Sequence, residues 1–327
     1  MEPIAEQLAS SSEKATHRSL LRAHLEIARP DHWVKNVFVL PGILIALSID
    51  HTLLQRLQWI NIVIGLVATC LVASSNYVLN ELLDAPFDRL HPTKWARPVP
   101  SGQVSIPLAY VEWIVLMLVG VGLGLLVSPR LALTLGSLWV MGCVYNIRPL
   151  RAKDVPYVDV LCEAVNNPIR MLAGWYMVGT LAIPPVSLLV SYWMAGCYFM
   201  AIKRFAEFRD IGDQARSKSY RKSFGFYTEP RLLISIMFYG SFAMLLFGAF
   251  LMRYRLELIL TFPLIALVMA AYLALAFKPG GAAEHPEKLY RQPFLMSCVV
   301  ACSIAMGVLL FVNVPALYQI FTPTIAR

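Results

Sequence analysis

The stretch INIVIGLVATCLVASSNYVLNELLDAPFD, residues 60–88, indicates the class of fold. Residues 60–80 carry no charged side chain, and about twenty apolar residues suffice for a helix to cross a bilayer. The run ends with Asn80, Glu81, Asp84 and Asp88. Because ionisable groups in or beside a membrane are costly, they are functional candidates by default. The stretch therefore predicts a membrane-spanning helix whose end carries chemistry.

Similar apolar windows recur along the chain of 327 residues, of which 58% are hydrophobic and only 15% charged. The pattern predicts an all-α polytopic membrane protein, because a lipid-exposed backbone must satisfy its own hydrogen bonds and the runs lack the alternation of barrel strands. Neither a soluble domain nor an internal repeat is evident. Nine spans are predicted, at residues 33–47, 60–80, 106–127, 131–147, 157–181, 186–202, 232–252, 256–277 and 294–317.

Lysine and arginine residues divide unequally between the two sides that these spans define. One side has only Arg56, Arg130, Arg253, Arg255 and Arg327. The other side has the N-terminal segment and the loops after spans two, four, six and eight, which hold most of the basic residues. By the positive-inside rule, the N-terminus and these loops are cytoplasmic, and the C-terminus lies on the opposite side.

The net charge of +8 is therefore mainly a topology signal. It does not indicate nucleic-acid binding, because the basic residues lie in short loops, where membrane lipids are the expected contacts. Residues 1–28 are predicted to be a cytoplasmic segment, partly an amphipathic helix, before a membrane domain at 29–327. Such a polar start is unlike a signal peptide, and the absence of a targeting segment suggests a bacterial or archaeal plasma membrane, of which the bacterial inner membrane is preferred.

Asn80, Asp84 and Asp88 follow one another at intervals of four residues. On a helix this spacing places their side-chain oxygens on one face, about 6 Å from their neighbours. A hard cation among them would relieve the repulsion of the carboxylates, and few carboxylates completed by phosphate oxygens are typical of Mg²⁺. The pattern predicts a Mg²⁺ site that binds a diphosphate substrate.

The alternative is a solvated helix end followed by a turn. This alternative explains a single acidic residue well. It explains less well why three oxygen-bearing side chains fall on the same face of a helix. The basic residues Arg89, Lys94 and Arg97 follow at once, and they could neutralise phosphates. The functional interpretation is therefore preferred.

Polar residues also gather after the fourth predicted span. The segment around 145–170 contains Tyr145, Asn146, Arg148, Arg151, Lys153, Asp154, Asp159, Glu163, Asn166, Asn167 and Arg170. Several of these fall inside the fifth span, where ionisable groups are functional candidates. A buried structural pair of Glu163 and Arg170, bridged by the asparagines, is an alternative that remains open.

The end of the sixth predicted span carries Lys203, Arg204 and Glu207, and the following loop carries Tyr220 and Arg221. Lys203 and Arg204 lie so close to the span that we expect them to face a ligand. Because Lys203 and Glu207 share a helical face, a simple salt bridge between them also remains open.

Together these features resemble the UbiA superfamily of intramembrane prenyltransferases. The resemblance rests on the Asn80, Asp84 and Asp88 pattern, on Arg97 with Pro98, and on nine spans with functional loops after the second, fourth and sixth. Within that superfamily, RPDHWVKN (29–36), DRLHPTKWARP (88–98), KRFAEFRD (203–210) and YRKSFGFYT (220–228) resemble the decaprenyl-phosphate phosphoribosyltransferases.

The resemblance implies a nine-helix bundle with a cytoplasm-facing cavity and assigns roles to residues. Metal binding falls to Asn80, Asp84 and Asp88, and catalysis to Asp84, Asp88, Lys203 and Arg204. The resemblance assigns substrate binding to Lys35, Asn36, Asn80, Lys94, Arg97 and Glu207. The polar clusters after spans four and six, apart from the resemblance, add as expected substrate-binding residues Tyr145, Arg151, Lys153, Asn167, Arg170, Tyr220 and Arg221. Two departures stand out: Glu81 replaces a common Asp, and the segment after span four, with Asp154 and Asp159 five apart, does not align clearly.

The implied reaction is Mg²⁺-dependent transfer of a 5-phosphoribosyl group from phosphoribosyl diphosphate to a polyprenyl phosphate. The alternative is transfer from an isoprenyl diphosphate to an aromatic acceptor at the same metal site. A transporter of an anionic substrate is disfavoured, because no repeated halves are evident and the polar residues gather at one membrane face. The sequence leaves the oligomeric state open.

Overall fold

The computed structural model describes residues 20–89, 94–211, 222–278, 289 and 291–321. All regular secondary structure in this part of the chain is helical. The α-helices are α1 (Leu20–Ile27), α2 (Leu40–Ile49), α3 (Thr52–Arg56), α4 (Trp59–Asp88), α5 (Ile106–Val127), α6 (Pro129–Asn146), α7 (Val158–Ala164), α8 (Asn166–Met177), α9 (Val186–Ile211), α10 (Glu229–Tyr254), α11 (Phe262–Ala276), α12 (Pro293–Leu309) and α13 (Pro315–Phe321). Short 3₁₀ helices occupy Pro30–Val39, Lys94–Ala96, Ala152–Asp154, Lys222–Gly225 and Leu256–Thr261.

Six helical segments of the described chain are long and apolar enough to cross a membrane. They are Leu20–Ile49, Trp59–Asp88, Ile106–Val127, Val186–Ile211, Glu229–Tyr254 and Leu256–Ala276. The other three predicted spans fall on α6, on α7 with α8, and on α12 with α13, which are shorter or interrupted. The all-helical membrane class is confirmed, and the count of nine spans stays a prediction.

The fifth predicted span is divided between α7 and α8. Pro168 has no N–H to donate to the carbonyl of Ala164, so one bond of the regular ladder is missing there, while the bonds from Val165 to Leu161 and from Ile169 to Val165 remain. Side chains add to the backbone bonds around the break: Trp193 Nε1 donates to the Leu161 carbonyl (2.9 Å), which also accepts from the Val165 N–H (3.0 Å), and Asn166 Nδ2 donates to the Glu163 carbonyl (3.1 Å). Broken helices are tolerated at membrane depth only with such partners.

Two glycines bring the start of the chain close to α8. A Cβ at Gly42 would overlap the Met171 carbonyl oxygen, and a Cβ at Gly174 would overlap the Val39 carbonyl oxygen. Small residues of this kind let two helix backbones approach closely in a membrane. The close approach places the 3₁₀ helix Pro30–Val39 beside α8, and therefore Asn36 beside Arg170.

The N-terminal helix α1 covers residues 20–27 of the predicted amphipathic segment. Ala23 and Ile27 are fully buried against the rest of the protein, whereas Leu20, Leu21 and Leu25 are exposed. An exposed apolar row is the pattern expected of a helix that lies along a lipid surface.

Candidate active site

The oxygen atoms of α4 and α6 converge on the ammonium group of Lys153. Its Nζ lies 2.5 Å from Asp84 Oδ1, 2.8 Å from Asn146 Oδ1 and 3.4 Å from Asn80 Oδ1. Arg151 adds a second cation, with Nη2 3.2 Å from the same Asp84 oxygen. Lys153 and Arg151 are both buried, so the 3₁₀ helix Ala152–Asp154 folds its basic side chains inward onto the acidic face of α4.

Asp88 continues this face one turn further along α4 and pairs with Arg97. Arg97 Nη1 lies 2.6 Å from Asp88 Oδ2, and the Asp88 carboxylate is buried. Lys94 lies close by in the 3₁₀ helix Lys94–Ala96, where burial lowers its pKa and the charge of Asp88 opposes that shift. The segment after α4 therefore brings two basic side chains to the carboxylate that the sequence associates with them.

Glu81 points away from this face. Its buried carboxylate accepts hydrogen bonds from Arg29 Nη2 (3.3 Å) and from the backbone N–H of Val99 (3.2 Å). One residue along a helix turns the side chain by about 100°, which is why Glu81 and Asn80 meet different partners. Glu81 thus connects the start of the chain to the segment that carries Arg97.

Replacing Glu81 with alanine is expected to disturb this connection. The guanidinium of Arg29 and the Val99 N–H would lose a charged partner in a buried environment, which costs about 1–3 kcal/mol for each group left unsatisfied. We expect a lower midpoint of thermal unfolding in detergent and, for the diphosphate substrate that the sequence predicts, a raised KM because Arg97 is less well placed. Glu81→Gln, which keeps one acceptor oxygen, should lose less in both measurements. Equal effects of the two variants would contradict this role.

Arg204 is the most completely enclosed basic residue among the described residues of the candidate site. Its guanidinium contacts three carboxylates: Glu163 Oε2 at 2.6 Å, Glu207 Oε2 at 2.8 Å and Asp159 Oδ2 at 3.3 Å. Only 2% of the Arg204 residue surface is exposed. Each of the three guanidinium nitrogens is thus paired with an acid of the protein, so Arg204 organises the carboxylates in this structure.

Asp159 anchors the same cluster to the loop after α9. It is fully buried and accepts hydrogen bonds from the Tyr227 hydroxyl (2.6 Å) and the Ser223 hydroxyl (3.3 Å). Burial, followed by the charge of Asp159, raises the pKa of Tyr227, so the phenol remains a neutral donor. The Tyr145 hydroxyl donates to Glu163 Oε2 at 2.9 Å.

From the sequence alone, Asp159 was compared with Asp154. That Asp159 acts together with Glu163, as two acids that contact the same arginine, was not predicted. The segment DVLCE places Asp159 and Glu163 four residues apart, and both lie on α7. Asp84 and Asp88 have the same spacing, so the interval of four residues could have indicated that Asp159 and Glu163 share one face of a helix. The structure also shows that Glu163 pairs with Arg204 and that Arg170 donates to Asn36 Oδ1 (3.0 Å), so the direct Glu163–Arg170 pair is not formed.

The remaining predicted site residues lie around this centre. Lys203 Nζ is 4.0 Å from Glu207 Oε1, a weak version of the predicted salt bridge. Lys35 Nζ lies 3.4 Å from His32 Nδ1 and over the ring of Tyr77. Asn167 is half-buried on α8, against Gly196 of α9. Tyr220 and Arg221 lie outside the described residues.

The donor set suits a hard cation, although no three acidic, histidine or cysteine side chains among the described residues form a metal cluster. Oxygen atoms of Asn80, Asp84 and Asn146 already surround a cation, the Lys153 ammonium. Oxygen donors of this kind are the ligands that Mg²⁺ prefers, with water or phosphate completing the shell. The arrangement can therefore hold a cation and bring several basic groups to an anionic substrate.

Comparisons of the sequence and of the structure with known proteins agree with one another. A sequence model of the UbiA prenyltransferase family matches residues 37–299. Decaprenyl-phosphate phosphoribosyltransferase of Corynebacterium glutamicum is 31% identical over 236 residues, which cover 71% of this chain and 68% of that protein. The protein of the same name from Mycobacterium tuberculosis is 31% identical over 218 residues, covering 65% and 68%. A solved UbiA homologue from Archaeoglobus fulgidus, bound to GPP and Mg²⁺, shares the fold with TM-score 0.68 at 20% identity, covering 88% of this chain and 99% of that one.

Proposed function

Since this chain belongs to the UbiA prenyltransferase family and is a transferase, we propose that it transfers a 5-phosphoribosyl group from phosphoribosyl diphosphate to a polyprenyl phosphate, with release of diphosphate. The observation that carries the proposal is the juxtaposition of the Asp84 and Asp88 carboxylates with the buried cations Lys153 and Arg151 and with the half-buried Arg97. Such a site suits a phosphate-rich donor. The two phosphoribosyltransferase relatives favour this donor over an isoprenyl diphosphate.

We assign Mg²⁺ to the oxygens of Asn80, Asp84 and Asp88. The fit is supported by the position of the Lys153 ammonium among the Asn80, Asp84 and Asn146 oxygens, which marks a place for positive charge. When bound, Mg²⁺ supplies charge that offsets the diphosphate leaving group.

The protein's own residues bind and orient the reactants. Lys94, Arg97 and Lys203 provide fixed positive charge for the diphosphate, and charge that is placed in advance stabilises a transition state in which negative charge develops. A lone pair of a phosphate oxygen of the lipid forms the new bond to the anomeric carbon. The bond from that carbon to the diphosphate oxygen breaks, and the diphosphate leaves with the electron pair. No general base is needed, because the attacking phosphate is already an anion.

In this proposal the chain is a nine-helix bundle in the inner membrane of a bacterium. The basic loops that follow α4, α6 and α9 lie on the cytoplasmic side, as the positive-inside rule predicts. Phosphoribosyl diphosphate is a water-soluble substrate, so a site at that face would meet it directly. The lipid acceptor would enter from the bilayer.

The rival function is transfer of an isoprenyl group to an aromatic acceptor. It is suggested by the shared fold of the A. fulgidus homologue, whose solved structure contains GPP and Mg²⁺. The two functions use the same metal site and differ in which carbon is attacked. An assay with the two sets of substrates therefore distinguishes the two functions, whereas mutations of the metal site do not.

The test uses purified protein in detergent with Mg²⁺. One mixture contains phosphoribosyl diphosphate labelled in the ribose and a polyprenyl phosphate, and the other contains labelled geranyl diphosphate and 4-hydroxybenzoate. We expect label to become organic-soluble product only in the first mixture, to be lost with excess EDTA and to return with added Mg²⁺. After extraction, chromatography separates the product from unreacted geranyl diphosphate. Product only in the second mixture would overturn the phosphoribosyl proposal, and product that EDTA leaves unchanged would overturn the metal assignment.

A further inference from the structure

A cavity of about 570 Å³ lies beside the Asp84 site, between the ends of α4 and α5 and the connection that follows α6. Ligand pockets in proteins commonly measure about 300–1,000 Å³. Leu79, Leu83 and Phe87 of α4 form one wall, and Trp113 of α5 forms part of another. We call this cavity the lateral groove.

The apolar wall of the lateral groove runs along α4. Leu79, Leu83 and Phe87 are four residues apart, so they make a stripe about 12 Å long at 1.5 Å per residue. This stripe precedes Asn80, Asp84 and Asp88 by one position each and is turned from them by about 100° along the helix. The groove and the acidic face are therefore adjacent faces of one helix.

The charged lining of the groove consists of two arginines, Arg148 and Arg151, without an acidic residue. Arg148 is exposed, and no described residue forms a hydrogen bond or an ion pair with it. The Arg151 guanidinium lies over the Phe87 ring, 5.1 Å from its centroid, and 3.2 Å from Asp84 Oδ1. The side chain of Arg151 thus lines the groove and also contacts the acidic face.

We propose that the lateral groove binds the lipid acceptor, with the terminal phosphate at Arg148 and Arg151 and the first isoprenoid units along the Leu79–Leu83–Phe87 stripe. The inference rests on the proposed function and names the place from which its acceptor reacts. Arg148 has no partner among the described residues, whereas Arg151 also pairs with Asp84 and Asp154, at 3.2 Å from each. A phosphate monoester carries a charge of about −1.5 to −2 near neutral pH, so these cations attract it more strongly than the single charge of a membrane phosphodiester. A phosphate held by Arg151 is also next to the Asp84 site, where the donor would lie.

The experiment measures equilibrium binding of a labelled short-chain polyprenyl phosphate to the full-length protein in detergent, without a donor. The variants are Arg148→Ala, Arg148→Lys and Leu83→Trp, which fills the groove. The matched control is Leu118→Trp, on the exposed part of α5 away from the groove. Thermal unfolding of each variant checks that it is folded, and a parallel series uses labelled phosphatidylglycerol.

We expect Arg148→Ala and Leu83→Trp to weaken binding at least about tenfold, since a hydrogen bond to a charged group is lost or the stripe is covered. Arg148→Lys should recover part of the affinity, and Leu118→Trp should bind like the unchanged protein. In turnover assays, Arg148→Ala should raise the KM for the lipid and leave the KM for phosphoribosyl diphosphate unchanged.

Unchanged polyprenyl phosphate binding in a folded Leu83→Trp variant would overturn the groove proposal while the proposed function stands. The same holds if the variants lose phosphatidylglycerol and keep polyprenyl phosphate. If the unchanged protein binds no polyprenyl phosphate at all, the acceptor in the proposed function is wrong, and the groove proposal falls with it.

Discussion

Asp84→Asn is expected to lower turnover by at least about a hundredfold in a protein that still folds. The Asp84 carboxylate is the point at which Lys153 and Arg151 meet α4, at 2.5 and 3.2 Å from one oxygen. An amide has nearly the same shape but no charge, so it would hold a metal–diphosphate complex poorly. Loss of one positioned electrostatic group in an active site commonly costs a factor of about 10²–10³.

Stability should change little in this variant. The asparagine keeps an acceptor oxygen for Lys153, which also has Asn146 and Asn80 as partners. The matched control is Asp50→Asn, because Asp50 is an exposed acid between α2 and α3 that bonds to Thr52. The measurement is initial rate at saturating substrates together with the unfolding midpoint. An Asp84→Asn protein with a rate within threefold of the unchanged protein would contradict the role of this carboxylate.

Arg204→Met is expected to destabilise the protein more than any other single change at the site. Asp159, Glu163 and Glu207 all direct an oxygen at the Arg204 guanidinium. Without it three carboxylates would remain close together, two of them on the same short helix α7. Removing one partner of a buried ion pair costs about 3–5 kcal/mol, because the remaining charge is left uncompensated.

Lys203→Met provides the contrast, since Lys203 is the adjacent residue of the same helix. Its ammonium is half-buried and lies 4.0 Å from Glu207, so its loss should leave the unfolding midpoint nearly unchanged. Activity should fall in this variant, because Lys203 is proposed to face the diphosphate. The two midpoints in detergent are compared side by side. An Arg204→Met protein as stable as the Lys203→Met protein would refute the structural role of the arginine.

The difference between these neighbours shows where the sequence was informative and where it was not. The interval of four residues was enough to place Asn80, Asp84 and Asp88 on one face of a helix. The basic residues 203 and 204 were treated as one motif, although successive residues on a helix point about 100° apart. Only the packing of α7 against α9 decides that Arg204 faces Asp159 while Lys203 does not.

The contacts of Asp84 could not be predicted from the sequence for a similar reason, because they depend on residues far apart in the chain. Arg151 and Lys153 were predicted to bind substrate because they are basic and follow a span. Their contacts with Asp84 bridge more than sixty residues and require the chain after α6 to turn back onto α4. No local pattern encodes that turn, and the lateral groove, built from three separate segments, was hidden for the same reason.

The division of the fifth predicted span into α7 and α8 bears on how stability is distributed in the bundle. At the break, the Leu161 carbonyl accepts from the Val165 N–H and also from Trp193 Nε1 of α9, and the Glu163 carbonyl accepts from Asn166 Nδ2. The hydrogen bond from Trp193 ties the break to the next helix along the chain. We therefore expect α7 and α9 to lose their structure together, because Trp193 and Arg204 of α9 both bond to α7.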